Sequence, residues 1–329
     1  MHKKALELMD SLPENQKNQV QVFFDKYYPT KEQHYWSVTK LFAHAMYIPM
    51  FLQIGLHNVA KGKFSKLVYI DTHSGPGLAK IGGDERDIVL GSALLALHWP
   101  RVVASQVPQF KNIARGFDEL HFIELSWRNT NILRKFVNSF THVKVYTDDA
   151  NRSLPRIPVD ERALVYLFVD PYGELDSQLS YDALSSFVAR HRADIMMSVF
   201  ASHLARGFSS ISRIDLLKER VERIFGPGFC TSTCPGAQLL CSIGAATRDA
   251  VLEAFKCLLR KLGYQKVVDI PVRFEKGILY YMVLATKGSG GWIDGYIDYI
   301  SNKAPKDYET LKKLWLRATG RLVGLDNFF

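Results

Sequence analysis

The sequence predicts an α/β fold with a Rossmann-like, mostly parallel sheet of seven strands that ends in an antiparallel hairpin. Four short apolar runs are each followed by an acidic residue, in order along the chain. Two longer strand-like runs near the carboxyl terminus are joined by a short link that contains glycine, which is a hairpin signal. Open α/β sheets bind ligands outside the carboxyl ends of their strands, so the four acids also mark a candidate ligand crevice.

The chain is expected to begin with a helical extension over residues 1–64. Its main element is a long helix that starts at Tyr35 and is apolar on every side over residues 41–52. A helix that is apolar all round should be buried. His44 in this stretch is therefore interpreted as a packed side chain rather than a ligand.

The first strand-and-acid unit is the apolar run 67–70 followed by Asp71 and a glycine turn. Continuous apolar runs of this kind are typical of parallel strands that are buried on both faces. Glycine lets the backbone adopt positive φ and pass close to a ligand, although an ordinary strand-to-loop turn would read the same way. The candidate binding residues of this turn are Asp71, His73, Ser74, Gly75 and Gly77.

The second unit places Glu124 after the apolar run 121–123. In dinucleotide-type folds an acid about 20 residues after the glycine turn accepts hydrogen bonds from ribose hydroxyls, and Glu124 lies much further along the chain. We interpret the excess, residues 80–106, as an inserted loop and a helix that starts near Gly91.

The third and fourth units end in the acids that complete the candidate crevice. The run 143–147 is followed by Asp148 and Asp149, and the run 163–169 is followed by Asp170. Any one of these acids could instead cap the helix that follows it. Four such units in sequence order nevertheless favour a ligand-binding sheet.

The remaining elements decide which α/β fold is predicted. A fifth strand is expected at 193–200 and the hairpin at 264–274 and 279–287. Five parallel strands closed by an antiparallel pair form the sheet of the S-adenosylmethionine-dependent methyltransferases. The sheet is expected to occupy residues 65–287, with a helical insertion at 204–262 and a helical element at 288–329.

Several of these motifs, in this order, resemble the three-Cys-motif partner protein family, which has a methyltransferase-like fold. The matching segments are Trp36-x-x-x-Lys40, Tyr69–Gly77, Gly91–Leu94, Phe168–Gly173 and Tyr280–Thr286. The glycine turn and its long insertion also resemble the bacterial ribosomal RNA adenine-N6 methyltransferases. Those enzymes carry Asp-Pro-Pro-Tyr where this chain has Asp170-Pro171-Tyr172-Gly173, and this departure bears on the acceptor chemistry.

The resemblance implies S-adenosyl-L-methionine as the cofactor. Asp71 would order its methionine end or hold the glycine turn, and Glu124 would accept the ribose hydroxyls. Either Asp148 or Asp149 would accept from the adenine amino group, and the sequence does not choose between them.

The same resemblance assigns the chemistry to Asp170, Pro171 and Tyr172. The Asp170 carboxylate and the Pro171 carbonyl would accept hydrogen bonds from an amino group, and Tyr172 would stack on a planar substrate such as a flipped-out base. His73 and His203 are weaker candidates for a base. A turn histidine commonly bonds the backbone, and His203 reads as a helix-start residue.

The composition of the chain indicates which kind of partner and which cellular compartment to expect. The formal net charge is +9 and the pI is near 9.2, which favours a polyanionic partner. RNA is expected as substrate more than DNA, with a three-Cys-motif protein as a further partner. Neither a transmembrane run nor a signal-peptide core is recognised, so a cytoplasmic protein without membrane contact is expected.

Four cysteines are few for a disulfide scaffold. The spacing of Cys230, Cys234 and Cys241 matches no recognised zinc or iron–sulfur pattern. These residues and Cys257 are expected to be partly buried thiols, and no metal is expected.

Two functions therefore remain open. The first is a methyltransferase that acts on a nucleic-acid base. The second is a methyltransferase-like protein that binds a partner, with a regulatory or inactive cofactor pocket. The acids and glycines of the turn favour the first, and the missing second proline after Asp170 favours the second.

Overall fold

A computed structural model describes residues 1–27, 35–80, 88–171, 173–274, 277–288 and 292–303 of the chain. Nine strands lie in these ranges: β1 (Leu67–Asp71), β2 (Leu78–Lys80), β3 (Ile88–Leu90), β4 (Glu119–Glu124), β5 (Val143–Thr147), β6 (Leu164–Val169), β7 (Arg192–Val199), β8 (Lys266–Phe274) and β9 (Gly277–Thr286).

The main sheet has seven strands in the order β5-β4-β1-β6-β7-β9-β8. The first five of these run parallel to one another. β9 is antiparallel to both of its neighbours, β7 and β8. The predicted α/β sheet with an antiparallel terminal hairpin is therefore confirmed, in the arrangement of the S-adenosylmethionine-dependent methyltransferase fold.

Helices flank this sheet and extend the chain before and after it. They are α1 (His2–Asp10), α2 (Glu14–Tyr27), α3 (Tyr35–Ala60), α4 (Ser92–Gln106), α5 (Trp127–Val137), α6 (Ala150–Ser153), α7 (Tyr181–Arg190), α8 (Ala201–Ser209), α9 (Ile214–Phe225), α10 (Ala237–Leu240), α11 (Arg248–Lys261) and α12 (Trp292–Lys303). The long helix from Tyr35 agrees with the sequence-based expectation, and so does the segment between β7 and β8, in which helices are the regular secondary structure.

Both faces of the sheet are covered by apolar clusters, which explains the continuous apolar runs. Every residue of β1 and β6 is buried. α3, α4 and α5 pack on one face, and α7, α8, α9 and α11 pack on the other. Since the strands lie in the interior of a three-layer structure, alternation between apolar and polar residues is not required.

The described part of the segment between β1 and β4 contains two short strands where the sequence predicts a loop. β2 and β3 pair as a small antiparallel sheet, and α4 begins at Ser92 as predicted. The Gly91 N–H donates to the Gly77 carbonyl at 2.7 Å. A Cβ built on Gly91 would lie 2.7 Å from that same oxygen, so glycine at position 91 lets the start of α4 contact the glycine turn.

The expectation of free thiols is wrong. Cys230 pairs with Cys241 and Cys234 with Cys257, at Cα–Cα distances of 5.6 and 6.2 Å, within the usual range for disulfides. The helices between β7 and β8 bring together cysteines that lie 11 and 23 residues apart in sequence. This proximity is not visible in their spacing.

No helix within the described ranges has both the length and the apolarity needed to cross a bilayer. α12 lies in the predicted carboxyl-terminal helical element, whose residues 304–329 fall outside the described ranges.

Candidate functional site

Four acidic positions meet at one edge of the sheet. β1 lies between β4 and β6, and β4 also pairs with β5. These strands are parallel, so the residues at their carboxyl ends, Asp71, Glu124, Asp148 and Asp170, share one edge. The chain order reverses beside β1, which is the position where α/β sheets form ligand crevices.

The glycine turn has one open side and one packed side. Gly75 has a φ of +60° and Gly77 a φ of +85°, conformations that favour glycine. A Cβ on Gly75 would meet nothing within 4 Å, whereas a Cβ on Gly77 would lie 2.8 Å from the side chain of Leu133. Gly77 thus permits packing beneath the turn, and Gly75 leaves space above it.

Asp71 holds the turn from inside. It is fully buried, and its Oδ1 accepts the His73 N–H at 3.1 Å. Its Oδ2 accepts from the Tyr69 hydroxyl at 3.3 Å. Burial raises the pKa of Asp71 to about 7, and a hydrogen bond from the Ser92 side chain opposes that rise. Of the two roles considered for Asp71, these contacts favour holding the turn.

Glu124 joins the end of β4 to the glycine turn. Its Oε2 accepts the Gly75 N–H at 2.9 Å and its Oε1 accepts the Ser126 N–H at 2.9 Å. A carboxylate oxygen offers about two acceptor positions, so each oxygen retains capacity for a ligand hydroxyl.

The adjacent acids after β5 are engaged differently. Asp148 accepts from the Arg152 guanidinium at 2.5 Å and the Ser153 hydroxyl at 2.9 Å. Asp149 caps α6 through Oδ1, which accepts the Asn151 N–H at 2.8 Å. The charge of Asp149 also acts on His73, so Asp149 lies within electrostatic range of the turn. The capping alternative raised by the sequence therefore holds for Asp149.

His73 and Ser74 bond mainly to protein groups. His73 Nδ1 lies 2.8 Å from the Thr72 hydroxyl, and Nε2 lies 3.3 Å from the Ser177 carbonyl. Burial lowers the pKa of His73. The buried Ser74 hydroxyl can donate to the Asp71 carbonyl at 3.1 Å or to the Ile123 carbonyl at 3.2 Å. Since both ring nitrogens of His73 have partners, the ring links the turn to the loop after β6, and a catalytic base is disfavoured.

Asp170 is held by a residue from outside the sheet. The Lys40 ammonium of α3 donates to Asp170 Oδ2, and both side chains are largely buried, at 18% and 14% exposure. Oδ1 of Asp170 is buried and has no hydrogen-bond partner within the described part of the chain. A buried acceptor without a partner is costly, so Oδ1 is suited to a ligand donor.

Pro171 is buried next to Asp170, while Tyr172 lies outside the described residues. His203 is exposed near the start of α8, as a helix-start residue should be. A Cβ on Gly173 would contact the His203 side chain at 3.2 Å, so His203 borders the loop after β6.

The sequence did not reveal the network of hydrogen-bonded side chains that lies beneath Asp71. His44 Nε2 lies 3.2 Å from the Tyr69 hydroxyl, and its Nδ1 lies 2.7 Å from the Tyr166 hydroxyl. Burial lowers the pKa of His44 to about 3. His44 is therefore a neutral, packed side chain, as expected. A polar residue on an otherwise apolar helix could have indicated such a network, but it could not have identified the residues that bond to His44.

No cluster of metal-ligating side chains occurs among the residues that the structure describes. No protein-family model matches this chain. No curated protein matches it significantly either.

Solved structures with a similar arrangement of elements were found. A Legionella pneumophila protein of the DUF519 family is 12% identical, with 79% of this chain and 91% of that chain covered and a TM-score of 0.44. Trm1 from Pyrococcus horikoshii with S-adenosyl-L-methionine is 9% identical, with 79% and 57% covered and a TM-score of 0.36. The methyltransferase domain of bacterial CtHen1 is 10% identical, with 75% and 100% covered and a TM-score of 0.34. Similarities this distant do not establish the activity of this chain.

Proposed function

We propose that this chain is an S-adenosylmethionine-dependent methyltransferase that acts on a nucleic-acid base, with RNA favoured over DNA. The observation that carries the proposal is the buried Oδ1 of Asp170, which has no hydrogen-bond partner among the described residues and lies at the same sheet edge as the glycine turn. An acceptor of this kind beside a cofactor crevice can orient an amino group for methyl transfer.

The residues around the turn fit the cofactor. The open space above Gly75 lets a ligand approach the backbone closely. Glu124 retains acceptor positions for ribose hydroxyls. We assign the adenine amino group to Asp149, because its capping hydrogen bonds use only Oδ1, whereas both oxygens of Asp148 are engaged by Arg152 and Ser153. When bound, S-adenosylmethionine supplies an activated methyl group.

The protein's task is then to orient the acceptor and exclude water. The Asp170 carboxylate and the Pro171 carbonyl would accept hydrogen bonds from an exocyclic amino group, which directs its nitrogen lone pair to the crevice. Lys40 stabilises the negative charge of Asp170 through Oδ2, which orients Oδ1. Tyr172 remains the predicted stacking partner for a base taken out of its stack.

Calorimetry with S-adenosylmethionine and its demethylated product tests the proposal. Glu124→Ala should weaken binding by about 1–3 kcal/mol, because polar groups of the ligand and turn lose their acceptor. Glu119→Ala is the matched control, since Glu119 begins the same strand and pairs instead with Lys66 at 2.7 Å. No binding by the unchanged protein up to millimolar concentrations would refute the cofactor assignment.

One observation favours the alternative, a partner-binding protein with a regulatory or inactive pocket. Lys40 already pairs with Asp170, so part of the acceptor site is occupied by the protein itself. Under this alternative the cofactor binds, but RNA from cells with and without the gene has the same modified nucleosides. If one methylated nucleoside is present in RNA from cells with the gene and absent in RNA from cells without it, the enzyme is favoured. A three-Cys-motif partner stays a prediction of the family resemblance.

A further inference from the structure

A groove of about 1050 Å³ runs between the amino-terminal helices α1 and α2 and the helix α5. Two contacts define the relative orientation of α2 and α5 along the groove. Lys135 Nζ, near the end of α5, donates to Gln19 Oε1 at 2.7 Å. The Arg128 guanidinium, at the start of α5, lies 5.1 Å from the ring centre of Tyr27 at the end of α2. The two helices are therefore antiparallel along the groove.

The charges that line the groove have one sign. Lys26, Arg128, Arg134 and Lys135 line it, and no carboxylate does so within the described part of the chain. Asp25 is close in sequence but accepts from Lys80 Nζ at 3.1 Å. None of the four cations forms a salt bridge with a described residue. A groove with this charge attracts a polyanion.

Two aromatic rings at one end of the groove remain accessible. Trp127 is 61% exposed and Tyr27 is 41% exposed. The Arg128 guanidinium lies 5.7 Å from the Trp127 ring centre, as well as near Tyr27. Exposed aromatic rings and guanidinium planes are the surfaces on which unpaired bases stack. Phosphate attraction alone would not require them.

The dimensions suit a short strand. Arg128 and Lys135 are seven residues apart on α5, which corresponds to about 10 Å along the helix axis. This length matches about three nucleotides at the 3.4 Å spacing of a stacked strand. The aromatic end lies at the carboxyl edge of the sheet, because Trp127 follows Glu124 by only three residues.

We propose that this groove binds a single-stranded segment of RNA, with phosphates along α5 and a base on Trp127. RNA is the occupant because its loops and bulges present unpaired bases to proteins, whereas a paired duplex conceals the base faces that Trp127 would contact. The binding step stands on the groove itself. The further idea that the strand continues to Asp170 rests on the proposed function.

The test is fluorescence anisotropy with a labelled, unstructured single-stranded RNA, and with its duplex and DNA counterparts. The double variant Arg128→Ala/Lys135→Ala should weaken RNA binding by about tenfold or more and reduce the salt dependence by about 0.7 units of slope per lost phosphate contact. The double variant Lys61→Ala/Lys63→Ala is the matched control. It removes the same charge from exposed positions before β1, at the opposite edge of the sheet, and should bind RNA nearly as the unchanged protein does.

Trp127→Ala separates stacking from charge. It should weaken single-strand binding by about tenfold without changing the salt slope, and duplex binding should be weak in every variant. Trp127 is exposed, so folding should be retained. Equal binding by all variants, a flat salt response, or a preference for DNA would overturn the proposal. If an acidic peptide displaced the RNA, and Trp127→Ala bound RNA as tightly as the unchanged protein, the groove would be a protein-binding surface instead.

Calorimetry with the cofactor on the same variants keeps the two proposals apart. If the cofactor binds and RNA does not, the groove assignment fails and the methyltransferase proposal stands with another substrate. If RNA binds through Arg128 and Trp127 but the cofactor does not bind, the groove stands and the enzyme proposal fails.

Discussion

The buried parallel strands β1 and β6 each lead to an aspartate, Asp71 at the end of β1 and Asp170 directly after β6, yet the two carboxylates are held in opposite ways. Asp71 accepts from the His73 backbone and the Tyr69 hydroxyl, both within two residues in sequence. Asp170 pairs with Lys40, which lies 130 residues away on α3. Asp71 is fully buried, and Asp170 keeps one oxygen without a partner among the described residues.

The difference shows that two similar strand-to-aspartate junctions can have different roles. The β1 loop is held by the short-range contacts of Asp71 together with Glu124 of β4 and Ser92 of α4, so its shape is set before any ligand arrives. The β6 loop depends on a helix outside the sheet, and that helix leaves an acceptor available. We therefore expect Asp71 to act on stability and cofactor geometry, and Asp170 to act on the reacting group.

The largest expected effect is on turnover. Asp170→Ala should lower kcat on the methylated substrate by about 10²–10³-fold, as loss of one preorganised hydrogen-bonding group does elsewhere, with little change in the cofactor Kd. The measurement is single-turnover methylation of the RNA identified by nucleoside comparison. Lys40→Arg, which keeps the positive charge, should lose much less. Full activity in Asp170→Ala would show that another group holds the acceptor.

An effect of similar size in free energy is expected on the pH dependence of stability. The pKa of Asp71 rises from its ordinary 3.8 to about 7 in the folded protein. Between about pH 4 and 7 the folded chain therefore keeps a proton that the unfolded chain has released. This contribution to the free energy of unfolding is full below pH 4 and falls by about 4 kcal/mol as the pH rises to 7.

Urea unfolding of the unchanged protein and of Asp71→Asn, at several pH values, isolates this contribution. His44 works in the opposite direction, because its pKa is lowered to about 3, but it is common to both proteins and cancels in the comparison. Identical pH dependence in the two proteins would mean that Asp71 is ionised when folded.

The smallest expected effect separates the two sides of the glycine turn. Gly77→Ala should lower the free energy of unfolding by about 3 kcal/mol, because positive φ and the contact with Leu133 both oppose a Cβ. Gly75→Ala should cost about 1 kcal/mol of stability but weaken cofactor binding more, since its Cβ enters the open space. Thermal unfolding and calorimetry on the pair measure both quantities. The reverse ranking in cofactor affinity would place the ligand elsewhere.

Local patterns were sufficient for the sheet and for the acidic edge. Continuous apolar runs predict strands buried on both faces, and parallel strands bring their carboxyl ends together, so Asp71, Glu124 and Asp170 could be placed at one edge from the sequence. The closing hairpin was also predictable, because a strand pair with a short glycine link is a local signal.

Only the tertiary structure decided which side chains meet across the fold. Lys40 with Asp170, Tyr27 with Arg128, and the two cysteine pairs join segments whose proximity no spacing rule gives. The strands β2 and β3 were also missed, since each has only three residues. The sequence by itself determined the strands of the main sheet and the order of their acids, because a continuous apolar run is visible in neighbouring residues. Helix packing determined the partner of Asp170 and the charged groove, because those contacts depend on where distant segments lie in space.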